Sequence, residues 1–160
     1  GDGADSSSVS NQLSSGVVEI YSSDVSFAAL KSDGSVVTWG DPNAGGDSSS
    51  VSSQLSSGVT EIFSTNSGFA ALKSDGSVVT WGHPSNGGDS SSISSALSSG
   101  VSEIFSSDRA FAALKSDGSV VTWGHSGYGG DSSSVTSSLS SGVQNVYSSS
   151  KAFAVIDNDG

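Results

Sequence analysis

The chain has no cysteine and no methionine in 160 residues. Disulfide staples and thiolate metal sites are thereby excluded, and few side chains are open to oxidation. Basic residues are scarce: Lys and Arg together number 5 against 16 Asp and Glu, for a formal net charge of −11. Such a surface repels phosphate backbones and anionic membranes, which disfavours nucleic-acid binding and membrane insertion. No apolar run is long enough to span a bilayer, and no leader or polybasic address is visible in the sequence. Hydrophobic residues make up only 33%, but charged residues only 13%, and disorder by composition usually couples low hydrophobicity to high charge. The apolar residues are gathered into short regular runs, the pattern of an ordered, serine-rich chain.

What is present is a repeat. FAALKSDGSVVTWG occurs at 27–40, 69–82 and 111–124, and Asp5, Asp47, Asp89 and Asp131 open matching DSSS segments 42 residues apart. A fixed period of this size defines a tandem array, read here as one repeat domain over 1–160. The repeats are 5–46, 47–88 and 89–130, with a partial fourth, 131–160, that stops at its hairpin turn. The beginning at Gly1 and the abrupt stop suggest a piece of a longer or processed chain.

Each repeat is expected to carry a short helix (or outer strand) and three strands. Asp47 suits a helix N-cap, Gly58 a C′ position, and Val51 and Leu55 lie four apart on one face. The first strand is expected at Val17–Ser22, Val59–Ser64, Val101–Ser106 and Val143–Ser148. Asp33-Gly34 signals a hairpin, and a two-residue loop places Leu30 opposite Val37 and Ala28 opposite Trp39. Both faces of that hairpin are largely apolar, so each repeat is expected to pack between neighbours. Glu19, Glu61 and Glu103 are available to pair with Lys31, Lys73 and Lys115, and Asp157 at the lysine position marks the last repeat as different. Variation between repeats is confined to two loops: 23–26 and its counterparts, and the turn after Trp-Gly at 41–46, 83–88 and 125–130.

ALKSDGSVVTWG followed by a Gly-rich loop resembles the repeat of the regulator of chromosome condensation family of β-propellers. The shared features are Ala-Leu, the Asp-Gly turn and Val-x-Thr-Trp-Gly, at 29–40, 71–82 and 113–124. Similar repeats occur in large bacterial surface and secreted proteins. The resemblance implies blades around an axis, a mainly β, propeller-like fold. A loop ending in Gly-Gly-Asp follows Trp-Gly here where the family has a Gly-Gln-Leu-Gly type of loop, and three strands per repeat are counted where the family supplies four. The nucleotide-exchange role of the founding member rests on surface residues with no counterpart aligned here, and is not carried over.

Candidate sites follow the repeat. Asp5, Asp47, Asp89 and Asp131, beside glycine carbonyls, and Asp2 in the N-terminal GDGAD, offer oxygen ligands for calcium, although capping a helix is the preferred explanation of the repeated aspartates. His83, His125 and Asp41 share one repeat position and are candidates for a metal near an axis or for ligand contact; as solvated loop residues they need no such role. Tyr128, in the exposed HSGYGG loop, is the better candidate for touching a partner. Trp39, Trp81 and Trp123 are expected to pack between repeats rather than to stack on sugars. Serine abounds, but no Gly-x-Ser-x-Gly elbow or base-paired nucleophile is visible, so the chain is expected to be a non-enzyme. The first functional expectation is an extracellular or cell-surface structural module, part of an adhesive or filamentous homo-oligomeric assembly formed through the unpaired hairpin edge. The alternative is a binding module recognising a glycan or protein through the variable loops. No organic cofactor is expected.

Overall fold

The computed structural model describes residues 5–159. It consists of four successive antiparallel sheets, one per repeat, in chain order. The first holds β1 (Val17–Ser22), β2 (Ser26–Lys31) and β3 (Val36–Gly40); the second holds β4 (Val59–Ser64), β5 (Gly68–Lys73) and β6 (Val78–Gly82). The third holds β7 (Val101–Ser106), β8 (Ala110–Lys115) and β9 (Val120–Gly124), and the fourth pairs β10 (Val143–Ser148) with β11 (Phe153–Asp157). The four first strands fall on the residues expected from sequence. Among the described residues no helix is long and apolar enough to cross a membrane.

The hairpin register differs from expectation by one residue. Phe27 faces Trp39, Ala28 faces Thr38, Ala29 faces Val37 and Leu30 faces Val36. The loop is three residues long, because Lys31 N–H donates to Ser35 C=O at 2.9 Å and Gly34 N–H donates to Lys31 C=O at 2.9 Å. Only Gly34 takes positive φ, at +78°. A primed turn would have required positive φ at Asp33 as well. Instead the Asp33 carboxylate accepts the N–H of Ser35 at 2.9 Å and its hydroxyl at 2.6 Å, fastening the turn from inside.

The corrected register puts the two aromatics of each hairpin on one face. Phe69 and Trp81 stack at 5.2 Å between ring centroids with planes 13° apart, and the same stack joins Phe27 to Trp39 and Phe111 to Trp123. The opposite face carries the small residues and packs onto the next repeat. Ala28 and Leu30 share one core with Leu55, Ile62, Phe69 and Trp81 of the second repeat, and Ala70 and Leu72 with the third. The expected interleaving of small and large side chains is thus present, with phenylalanine joining tryptophan on the large side. A β-bulge between Val59 and Glu61, repeated in every first strand, turns both Val59 and Ile62 inward although they stand three apart.

The expected helix is reduced. In the second and third repeats it is a 3-10 turn, Ser49–Val51 and Ser91–Ile93, continuing into irregular turns. The first repeat adds a four-residue α-helix, Ser10–Leu13. Serine hydroxyls compete for the helical carbonyls: Ser56 Oγ donates to Ser53 C=O at 2.8 Å, and Ser98 Oγ to Ser95 C=O at 2.8 Å. The geometric N-cap is Ser48, while Asp47, one residue earlier, accepts Ser49 N–H at 2.8 Å. Leu55 still docks as intended, and its carbonyl accepts Val36 N–H of the preceding repeat at 3.0 Å.

Candidate functional site

Both variable loops of each repeat lie at the same end of the molecule, locked together by one buried hydroxyl. Thr65 Oγ1 accepts Gly68 N–H at 3.0 Å and donates to Asn86 C=O at 2.7 Å, and Ser107 Oγ does the same with Ala110 N–H at 3.1 Å and Tyr128 C=O at 2.8 Å. Backbone bonds complete the lock: His83 N–H donates to Ser67 C=O at 2.7 Å and His125 N–H to Arg109 C=O at 2.9 Å. A hydroxyl on the first loop therefore positions the turn that holds His83, or His125 and Tyr128.

A line of backbone hydrogen bonds joins successive repeats at this end, and Ser64 Oγ adds a bond to Ser22 C=O at 2.7 Å. Asp24 N–H donates to Asn66 C=O at 3.0 Å, Asn66 N–H to Asp108 C=O at 2.8 Å, and Asp108 N–H to Ser150 C=O at 3.0 Å. The residues 22–24, 64–66, 106–108 and 148–150 line a depression of about 540 Å³, almost wholly polar in composition. Hydroxyl-rich walls of this kind suit water and polar groups.

The chemistry is uneven around the face. Lys31, Lys73 and Lys115 do not reach the glutamates; each ammonium donates to a backbone carbonyl, of Gln12, Gln54 and Ala96 respectively. The glutamate–lysine ladder is therefore replaced by lysines closing the end of each short helical segment. Of the 5 basic residues, that leaves Arg109 and Lys151. These occupy one repeat position in adjacent repeats, and both meet Tyr128: Arg109 Cζ lies 5.1 Å from the ring centroid and Lys151 Nζ 5.8 Å. His125 meets the same ring edge-on at 5.1 Å. Its Nδ1 accepts Gly127 N–H at 3.1 Å, which orients the imidazole. Tyr128 is half-buried, with Arg109 and Lys151 exposed on either side.

The structure brings His125 and Tyr128 together and leaves His83 and Asp41 in separate repeats. His83 is exposed, and the Asp41 carboxylate accepts Asn43 N–H of its own turn at 2.8 Å. Asp5, Asp47, Asp89 and Asp131 are likewise one per repeat, each accepting the N–H of a serine two residues on at 2.8–3.0 Å. Those hydrogen bonds hold the four carboxyls below the ordinary value of 3.8. Among the described residues no three histidine or acidic side chains are grouped as metal ligands would be. Asp2 lies outside the described residues. Arg109 and Lys151 went unnoticed in the sequence, although cations in the 23–26 type of loop occur only in the last two repeats.

No family model matches the chain, and no curated protein does. Solved structures do. The crystal structure of Prp20p from Saccharomyces cerevisiae, described with its binding properties to Gsp1p and histones, matches with a TM-score of 0.51 and 19% identity. That match covers 88% of this chain and 35% of Prp20p. Human WBSCR16 matches with a TM-score of 0.48 and 21% identity over 68% of this chain and 34% of its own. Yeast RCC1 (Prp20) bound to Kap60 matches with a TM-score of 0.45 and 16% identity over 68% of this chain and 29% of that one. The chain thus spans about a third of the length of the structures it matches. Three-stranded antiparallel sheets repeating every 42 residues, together with the Prp20p match, give a mainly β fold resembling the propeller repeats of the regulator of chromosome condensation.

Proposed function

We propose that this chain is a non-enzymatic propeller-type binding module that holds a protein partner on its loop face, with Tyr128 as the anchor. The observation that carries this reading is the gathering of Arg109, Lys151 and His125 around the Tyr128 ring. Tyrosine and arginine are the side chains that most often dominate protein contacts, and a ring clamped before binding loses little entropy on docking. The frame beneath changes little over the first three repeats while Tyr128 occurs in one turn only, which is how a repeat scaffold acquires one specific contact. The formal net charge of −11 over the whole chain favours encounter with partners that carry a basic surface. That Prp20p is described with protein ligands supports a protein rather than a small molecule.

The test is a parallel protein and glycan array probed with the intact chain and with Tyr128→Ala, Arg109→Gln/Lys151→Gln and His83→Ala. The expected result is binding to proteins that weakens about tenfold or more in the first two variants and is unchanged in His83→Ala. Binding indifferent to all three, or confined to glycans, would overturn the reading.

A second reading is an extracellular structural module that assembles with further copies. The acidic, hydroxyl-rich, thiol-free composition suits the cell exterior. Light scattering of the purified chain decides it: rods or polymers support assembly, and a monomer at all concentrations removes it.

A further inference from the structure

The cations of this chain divide into two groups. Lys31, Lys73 and Lys115 each give their ammonium to a backbone carbonyl. Arg109 and Lys151 instead lie against the Tyr128 ring, at 5.1 and 5.8 Å from its centroid. Among the described residues neither side chain donates a hydrogen bond to the protein or pairs with a carboxylate. A guanidinium resting on an aromatic ring keeps N–H donors at its rim. The Tyr128 hydroxyl has no protein partner either, and among the described residues no enclosed side-chain oxygen is left without one, so that hydroxyl is open to solvent. His125 Nδ1 accepts Gly127 N–H at 3.1 Å, which places the proton of the neutral imidazole on Nε2, a further donor. The cluster is rich in donors and short of an acceptor.

The charge around the cluster has the opposite sign. Asp108 precedes Arg109 in sequence, and Asp131 follows the turn that carries Tyr128. The polar depression of the loop face has Asp24 and Asp108 in its wall, together with Ser150, the neighbour of Lys151. A strongly acidic partner is repelled by a chain of net charge −11, and a purely basic one sets like charge against Arg109 and Lys151. The distribution suits a segment that is basic in the main and carries one anionic group. A carboxylate fits that group better than a phosphoryl does. It matches the planar guanidinium fork, and its single charge meets less repulsion from the nearby aspartates than the near-double charge of a phosphomonoester.

We propose that Arg109, Lys151 and Tyr128 together hold the carboxylate of an aspartate or glutamate presented by a basic segment of the protein partner. Arg109 offers paired N–H donors, Lys151 a second cation and Tyr128 its hydroxyl, while the half-buried ring gives the methylene groups of the acid an apolar floor. The basic residues that flank the acid lie over the depression walled by Asp24 and Asp108. The proposal rests on the loop-face reading and adds to it the chemistry of the group that docks there. The counterparts of Arg109 and Lys151 in the first two repeats are Val25 and Ser67, and the turns at 41–46 and 83–88 hold no tyrosine. Within this chain the preference for an acid therefore belongs to the junction of the third and fourth repeats.

The test titrates the intact 160-residue chain with the capped peptide Lys-Gly-Lys-Glu-Lys-Gly-Lys, and with counterparts carrying glutamine or phosphoserine in place of the glutamate. Binding is followed by nuclear magnetic resonance shifts of the loop-face amides at constant ionic strength. The glutamate peptide is expected to saturate with a Kd of about 1 mM or below, and to bind at least about threefold more tightly than the glutamine peptide. In Arg109→Gln/Lys151→Gln that advantage disappears. Equal affinity for the two peptides on the wild-type chain, or an advantage that survives the double substitution, would overturn the proposal. So would tighter binding of the phosphoserine peptide, which would assign the cluster to a phosphoryl group, or no saturable binding up to about 5 mM. Tyr128→Ala separates this proposal from the reading beneath it. A glutamate preference that persists there supports the carboxylate contact and overturns the tyrosine as anchor. Two peptides weakened by one common factor, with no preference between them, retain the anchor and overturn the carboxylate. Should Tyr128→Ala fail to fold, the double variant decides the carboxylate by itself.

Discussion

Trp81→Phe is the sharpest probe of how the repeats are held together. The substitution keeps an aromatic ring to stack on Phe69, now at 5.2 Å between centroids, and removes the donor that meets Gly45 C=O at 3.1 Å. Gly45 is buried, so its carbonyl gains no water in exchange. Leaving a buried acceptor unpaired costs about 1–3 kcal/mol. Trp81 is 2% exposed, so the smaller ring also leaves a void, adding about 1 kcal/mol. The expected loss is about 2–4 kcal/mol, or a melting temperature lower by about 5–15 °C for a chain of this size. Urea unfolding followed by circular dichroism measures it. Because the lost bond crosses from the second repeat to the first, the transition should also broaden and its urea dependence fall, as coupling between neighbours weakens. A loss below about 1 kcal/mol with unchanged steepness would refute the claim that this indole bond couples the repeats.

Gly87→Ala should be costly and Gly127→Ala nearly neutral. Gly87 sits at φ +90° with an added Cβ 2.5 Å from Phe111 Cδ2, whereas Gly127 meets nothing nearer than His125 Cε1 at 3.4 Å. The first should lose about 2–4 kcal/mol in a thermal melt, and equal melts for the two would contradict the packing described. The turn carboxylates predict an acid limb of stability. Asp75 is held below its ordinary value of 3.8, first by the Ser77 hydroxyl and then by the Ser77 N–H. A depressed folded-state value stabilises fully above 3.8 and is lost as pH falls through the lower folded value. Ser77→Ala should therefore melt below wild type at pH 7 and converge with it in strong acid. Comparing the two proteins cancels the relief of charge repulsion near the isoelectric point of 4.1. A difference that stays constant down to about pH 2 would exclude this linkage.

Much of the architecture was legible because the period announces it. Three copies of a sequence can form a regular array only if each copy has the same neighbours, so the strands at Val17–Ser22 and its equivalents were placed by spacing alone. The hairpin register was not legible. Asp-Gly reads equally as a two-residue primed turn or as the end of a three-residue loop, and Ser35 decides between them by holding Asp33 at ordinary negative φ. That one-residue error exchanged the faces of Phe27 and Ala28. The bulge at Val18 was also hidden, since nothing in Val-Val-Glu-Ile marks which residue is squeezed out of the ladder. At the loop face, His125 was visible as the repeat counterpart of His83, and Tyr128 as a departure from the repeat. Arg109 and Lys151 were not, because their meeting depends on two loops 42 residues apart folding onto the same ring.

The backbone bonds from Asp24 to Asn66, Asn66 to Asp108 and Asp108 to Ser150 all run the same way, each N–H giving to the carbonyl of the following repeat. A line of bonds with a single direction has no two-fold axis perpendicular to it. Two copies meeting through such a line cannot form the self-matching pair that most dimers use, in which each patch meets its twin. They would have to meet with unlike ends in contact, and the rotation between units would then decide between a closed ring and an open screw. The polarity of any such end-to-end contact is therefore written into the hydrogen-bond direction of a few loop amides, before any side chain is considered.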